Sequence, residues 1–223
     1  MHSFTEENYL KVIYHISQTE PGTVQTNAIA NGLNTKAASV TDMLKKLADK
    51  QLIDYIKYQG VTLTEKGKIA AIKVIRKHRL WEVFLVDKLK FRWDEVHDIA
   101  EELEHINSSL LVERLDDFLG FPKRDPHGDP IPDQHGNFEP SAHTHLHEIA
   151  TGKSGIIIGV SEHSSPFLIH LEKLGLTIGA TITIQGITAY DGSVELVVNN
   201  LPVNVSRKVA QHILVKLEEA VHN

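Results

Sequence analysis

Between Thr26 and Leu63 the chain reads TNAIANGLNTKAASVTDMLKKLADKQLIDYIKYQGVTL. A short helical stretch stops at Asn31-Gly32, a longer amphipathic stretch follows, and two runs of strand formers then flank Tyr58-Gln59-Gly60. Asn34 or Thr35 is the expected N-cap of the longer helix, and Gly60 supplies the positive φ that a tight hairpin needs. Short helix, tight turn, longer helix and hairpin, in that order, predict a winged helix-turn-helix. Its remaining helix is expected upstream, where Tyr9, Leu10, Val12, Ile13 and Ile16 keep helical spacing behind a weak Thr5/Asn8 cap pattern.

A winged helix presents the N-terminal end of its longer helix to the DNA major groove. That places Lys36, Ala38, Ser39, Thr41 and Asp42 at base edges or phosphates and assigns Lys45, Lys46 and Lys57 to phosphates, with Asp42 the weakest because it repels phosphate. Val40, Met43, Leu44 and Leu47 are expected in the core. Charge agrees with a local DNA surface on an otherwise acidic molecule. The net charge is −6, yet residues 1–71 carry eight Lys against seven acids, so the acidity lies downstream.

Downstream, His97, Glu101, Glu104 and His105 stand at i, i+4, i+7 and i+8, putting two imidazoles and two carboxylates on one helical face. His78 and Glu82 repeat the i, i+4 spacing one helix earlier. Such sets hold first-row divalent metals, although a solvated acidic helix face is the competing explanation. The chain has no cysteine, so disulfides, zinc ribbons, iron–sulfur clusters and thiol nucleophiles are excluded, and any metal must sit on oxygen and nitrogen. Long helices are expected over 66–89, 93–106 and 108–119, with apolar faces suited to a partner subunit. Residues 120–147 hold five of the eight prolines and form a crossing or linker. GIIIGV, TITIQGITAY, an Asp191-Gly192 turn and VELVVNNLPVNV then predict a small SH3-like β-barrel, with one helix at PFLIHLEKLGL. The closing VSRKVAQHILVKLEE fits either helix or strand.

The winged helix, RKHRLWE, VHDIAEELEH, DPHGDPIP and the small barrel, taken in order, resemble the diphtheria toxin repressor and manganese transport regulator family over essentially the whole chain. The resemblance implies an α+β multidomain protein: a winged helix-turn-helix over 1–71, a helical dimerisation and metal-binding domain over 72–140, and an SH3-like, FeoA-like domain over 141–223. It further implies a homodimer that binds palindromic double-stranded DNA operators when loaded with Mn(II) or Fe(II), repressing metal uptake. The family's primary metal site falls on Asn8, Glu101, Glu104 and His105. Its ancillary site falls on His78, Glu82 and His97, completed by Asp125 and His127 and by Glu162 or His163 from the barrel. Glu101, where iron-type members have Cys, favours Mn(II) over Fe(II) on ligand hardness. Asn8 is a neutral donor that removes one negative charge. Lys11 stands where some short manganese regulators have a carboxylate ligand, which disfavours their closely spaced pair of metals.

Two rival readings are a metal-independent winged-helix regulator with an interaction barrel, and a His/Glu metallohydrolase. No Gly-rich phosphate loop, HExxH or nucleophile motif supports the enzyme. No apolar run approaches the ~20 residues of a membrane span and no leader is evident, so the cytoplasm is the expected location and no membrane partner is expected.

Overall fold

The computed structural model describes residues 2–19, 22–140 and 142–218, which divide into two compact units. The first comprises residues 1–78, 101–112 and 132–137, and the second 79–100, 113–131 and 138–223.

In the first unit, α1 (Phe4–Thr19), α2 (Thr26–Gly32) and α3 (Ala37–Asp49) precede a hairpin of β1 (Ile53–Ile56) and β2 (Gly60–Leu63). The winged helix-turn-helix is therefore present. Leu10, Ile13, Ile29, Val40, Leu44, Leu47, Leu52 and Val61 are wholly buried and form its centre, whereas Met43, expected with them, is only partly covered. The start of α1 differs from expectation. Ser3 Oγ accepts from Glu6 N at 3.3 Å while Ser3 N donates to Glu6 Oε2 at 3.1 Å, a reciprocal cap two residues ahead of Thr5. Neither Asn34 nor Thr35 caps α3. Asn34 takes φ 47° and Thr35 N donates to Ala30 O at 2.9 Å, so both close α2, and Lys36 is the N-cap. Gly60 has φ 104°, and a Cβ there would stand 2.7 Å from Val24 O, so the wing's bridge to Val24 requires glycine.

Helix α4 (Glu65–Asp87) continues from the wing and passes from the first unit into the second. Helices α5 (His97–Leu103) and α6 (Ser109–Phe118) are shorter than their sequence spans suggested. The first turn expected of α5 is lost because the Trp93 carbonyl accepts from His127 Nε2 at 2.8 Å instead of joining a helical ladder. On α6, Leu110 and Phe118 are each 62 % exposed, leaving apolar surface uncovered.

The second unit is built on β3 (Thr144–His145), β4 (Ser154–Val160), β5 (Thr181–Ile187), β6 (Val194–Val198), β7 (Leu201–Val205) and β8 (Ile213–Leu217). They pair antiparallel in the order β3-β8-β4-β5-β6-β7. The SH3-like domain is thus present as an open, bulged sheet. Among the described residues its ends do not pair, and the two-residue β3 offers too few ladder groups to close a barrel. Helices α7 (Ser165–Lys173) and α8 (Arg207–Ala210) cover it, and Leu146, Ile157, Leu168, Leu171, Ile182, Leu196 and Ile213 fill its core. The closing segment is both helix and strand, α8 then β8. The run VELVVNNLPVNV is two strands, because Asn199 and Asn200 take φ 50° and 68° and reverse the chain.

Candidate metal centres and nucleic-acid interface

In the first unit, α1, the middle of α4 and the end of α5 converge on one buried polar cluster. Glu104 is wholly buried, and Glu7, Lys11, His78 and His105 are each nearly so. His78, Glu101 and Glu104 offer ligand atoms within 4.8 Å of one another. The Lys11 ammonium donates to Glu101 Oε1 at 2.6 Å and to Glu104 Oε1 and Oε2 at 2.6 and 2.8 Å. A cation therefore already stands between these carboxylates. His78 Nδ1 donates to Glu104 Oε2 at 2.7 Å, and His105 Nδ1 donates to Glu7 Oε2 at 2.6 Å under the stacked ring of Phe4. Nδ1 of the His105 ring is thereby engaged, and its Nε2 lies 3.8 Å from Glu104 Oε1. Asn8 Oδ1 is buried with no hydrogen-bond partner, an arrangement that costs about 1–3 kcal/mol unless another group satisfies it. An orphaned oxygen, two carboxylates and an oriented imidazole fit a hard divalent cation. Lys77 Nζ also borders the cluster, 3.9 Å from Glu7 Oε2, and burial lowers its pKa against the pull of Glu7 and Glu104.

In the second unit, Glu82, Asp125 and His127 form another buried set, again with ligand atoms within 4.8 Å. The tight turn holding Asp125 and His127 depends on Gly128, where φ is 91° and a Cβ would stand 2.1 Å from Ile158 O. Asp125 Oδ1 accepts from the N–H groups of His127 and Asp129 at 2.8 and 3.0 Å, while Arg79 Nε lies 3.5 Å from its Oδ2. His127 Nε2 donates to the Trp93 carbonyl, leaving Nδ1 buried, without a hydrogen-bond partner and 3.6 Å from Glu82 Oε2. A carbonyl behind a ring nitrogen is the usual support for a metal-ligating imidazole. Burial disfavours the charged form of His127, but Glu82 and Asp125 outweigh it and raise the pKa to about 9. Burial and the charge of Glu82 push the Asp125 carboxyl upward. A metal here would displace protons as it bound. Half-exposed His97 has Nδ1 3.7 Å from Glu82 Oε1. Of the two barrel candidates, His163 stacks on His127 with ring centres 4.8 Å apart, whereas Glu162 Oε1 accepts from Ser164 N at 2.9 Å.

On α3, Lys36, Ala38, Ser39, Asp42 and Lys45 are exposed and Thr41 is partly so. Lys45 pairs with Asp42 at 3.1 Å, which holds that carboxylate beside an ammonium. Lys46 and Lys50 lie 3.1 and 2.7 Å from the wholly buried carboxylate of Glu6, so these two tie α3 to α1. Lys57 sits over the ring of Tyr58 at the wing tip, 4.9 Å from its centre. Glu6, Glu7 and the partnership of Lys11 with Glu101 and Glu104 escape a motif search because they join residues some 40 to 100 positions apart. The i, i+4 spacing of Glu7 and Lys11 on α1 was the available signal.

A winged helix, an open SH3-like sheet and two buried carboxylate–imidazole clusters define a metal-responsive DNA-binding regulator. Three family models agree: the iron dependent repressor N-terminal DNA binding domain matches residues 1–61, its metal binding and dimerisation domain 64–133, and the FeoA domain 144–217. The HTH-type transcriptional regulator MntR of Oceanobacillus iheyensis is 34% identical over 119 residues, 53% of this chain and 80% of that protein. The iron-dependent repressor IdeR of Mycobacterium tuberculosis is 37% identical over 129 residues, 57% of this chain and 55% of its own length, so the match spans about half of that relative. A solved manganese-dependent transcriptional repressor in complex with manganese covers 96% of this chain and 100% of its own, at 33% identity and a TM-score of 0.86. This chain belongs to the iron-dependent repressor family, whose members are DNA-binding transcriptional repressors and not enzymes. Among the described residues no helix is long and apolar enough to cross a membrane.

Proposed function

We propose that this chain is a dimeric, metal-activated repressor that senses Mn(II), with Fe(II) as the second candidate, and shuts off metal-uptake genes from palindromic operators in the cytoplasm. The domain division 1–71, 72–140 and 141–223 is part of this reading. The primary centre is Asn8, Glu101, Glu104 and His105. The ancillary centre is His78, Glu82 and His97, completed by Asp125 and His127 and by Glu162 or His163, and His78 also bonds Glu104. Oxygen donors and the lack of cysteine favour manganese, since Mn(II) gains least from soft ligands. A bound dication supplies positive charge and short bonds that draw the carboxylates together.

The observation that carries the reading is the double engagement of one helix. Glu6 of α1 grips Lys46 of α3 and Lys50 at its C-cap, while Glu7, the next residue, bonds His105, and Lys11, one turn on, bonds Glu101 and Glu104. A change in what Asn8 and Lys11 hold therefore moves α1, and α1 carries the recognition helix with it. Exposed Lys36, Lys45 and Lys57 contact phosphates, so operator affinity falls steeply with salt. Uncovered Leu110 and Phe118 on α6 supply an apolar dimer face. Mobility shifts on DNA upstream of the chain's own gene, titrated separately with Mn(II), anaerobic Fe(II), Zn(II) and chelator, test this. Response to Mn(II) or Fe(II) supports it, and response to Zn(II) alone at physiological free concentrations overturns the metal assignment.

A further inference from the structure

One cluster lies apart from both carboxylate centres. The segment His143-Thr144-His145-Leu146-His147 spaces three imidazoles two residues apart; β3 ends at His145 and a short 3₁₀ turn, Leu146–Glu148, follows, with Leu146 wholly buried in the sheet core, His143 exposed, and His145 and His147 partly so. Among the described residues β3 pairs with β8 alone and is the outermost strand of the sheet. The rings of His143 and His145 have centres 6.0 Å apart, and those of His145 and His147 5.8 Å apart. Two imidazoles bound to one zinc at about 2.0–2.1 Å have ring centres roughly 5 Å apart, so each neighbouring pair stands about an ångström wider than a zinc-bound pair.

The nitrogens are also oriented. His145 Nδ1 donates to the Gln211 carbonyl at 2.7 Å, which orients the ring and leaves Nε2 as the nitrogen available to a metal. His147 Nδ1 is buried with no hydrogen-bond partner, and Glu148 Oε1 lies 4.0 Å from its Nε2. An all-imidazole set selects late first-row dications, the opposite preference from the carboxylate-rich centres.

We propose that His143, His145 and His147 form a separate surface site for Zn(II) on the C-terminal unit, independent of the manganese reading above. Calorimetric titration of the full chain with Zn(II) tests it, comparing wild type with His143→Ala/His147→Ala, which spares the His145–Gln211 bond. The variant should lose one zinc equivalent or bind it at least tenfold more weakly, with its circular dichroism and Mn(II) stoichiometry unchanged. In wild type the three imidazole NMR signals should shift together with that equivalent. An unchanged zinc isotherm in the folded variant, or zinc equivalents that leave these three signals in place, would overturn the site. Failure of the manganese reading would appear in Mn(II) stoichiometry and operator binding, neither of which this comparison alters.

Discussion

Replacing Lys11 by Met removes the ammonium that now holds Glu101 and Glu104 together. Lys11 is about 10 % exposed at its side chain and Glu104 not at all, so the pair is buried at its centre. Removing one member of a buried ion pair costs about 3–5 kcal/mol because the remaining charge stays desolvated. Glu101 is 37 % exposed at its side chain and relieved by water, which puts the expected loss near the lower bound of about 3 kcal/mol. At about 2–4 °C per kcal/mol for a chain of this size, the metal-free protein should melt about 6–12 °C lower. A dication can neutralise the same carboxylates, so most of this loss should vanish on loading. The same free energy then appears as affinity: with no ammonium to displace, Lys11→Met should bind Mn(II) up to about 10²-fold more tightly. Calorimetric melting in chelator and in excess Mn(II), with electron paramagnetic resonance titration of free Mn(II), measures both quantities. An unshifted metal-free melting temperature, or affinity equal to or below wild type, would refute the view that Lys11 holds the cation's place.

Further perturbations separate the centres. Glu104→Ala or His105→Ala should abolish metal-stimulated operator binding and leave a folded dimer by analytical ultracentrifugation; a wild-type metal response in both would remove them from the primary centre. Glu82→Ala should raise the metal concentration needed for DNA binding and lower stoichiometry without eliminating the response, and unaltered stoichiometry would reduce the Glu82–Asp125–His127 cluster to a structural network. Burial raises the Glu6 pKa, but its bonds to Lys50, Ser3 and Lys46 prevail and hold it at about 2, below the unperturbed 4.5. A depressed carboxyl contributes stability that is complete above its unfolded pKa and lost as pH falls through the folded value. Glu6→Gln should therefore cost about 1–2 kcal/mol near neutrality and flatten the decline in urea stability between about pH 4.5 and 2. A variant whose stability falls as steeply as wild type over that window would show that the α1–α3 link carries no such energy.

Local chemistry made much of this architecture readable. Asn31-Gly32, the α3 periodicity and Gly60 each act over a few residues, so the winged helix followed from the sequence. Helical spacing predicts His97, Glu101, Glu104 and His105 on one face, but α5 ends at Leu103, so Glu104 and His105 follow the helix and His97 lies beside Glu82. What sequence could not supply was long-range pairing. The i, i+4 spacing of His78 and Glu82 did not show that His78 also bonds Glu104 or that Glu82 also lies with Asp125 and His127. Lys11 looked like a lost ligand and proved to be a cation held by two distant carboxylates. The start of α5 was misjudged because a hydrogen bond from His127, 34 positions away, takes the Trp93 carbonyl. Asn199 and Asn200 were passed over within a hydrophobic run, although two residues at positive φ are enough to turn a strand back.

The central claim is that filling the Asn8–Glu101–Glu104–His105 centre moves α1 and, through Glu6, the recognition helix. Fluorescence anisotropy on labelled operator from the chain's own upstream region tests it most directly, with Kd measured in saturating Mn(II) and in chelator. A bias of about 3–4 kcal/mol between competent and incompetent arrangements gives a 10²–10³-fold difference in Kd. The account predicts a gain of that order in wild type, and nearly equal weak binding in both conditions for Glu104→Gln. Tight wild-type binding that survives exhaustive chelation unchanged would contradict it.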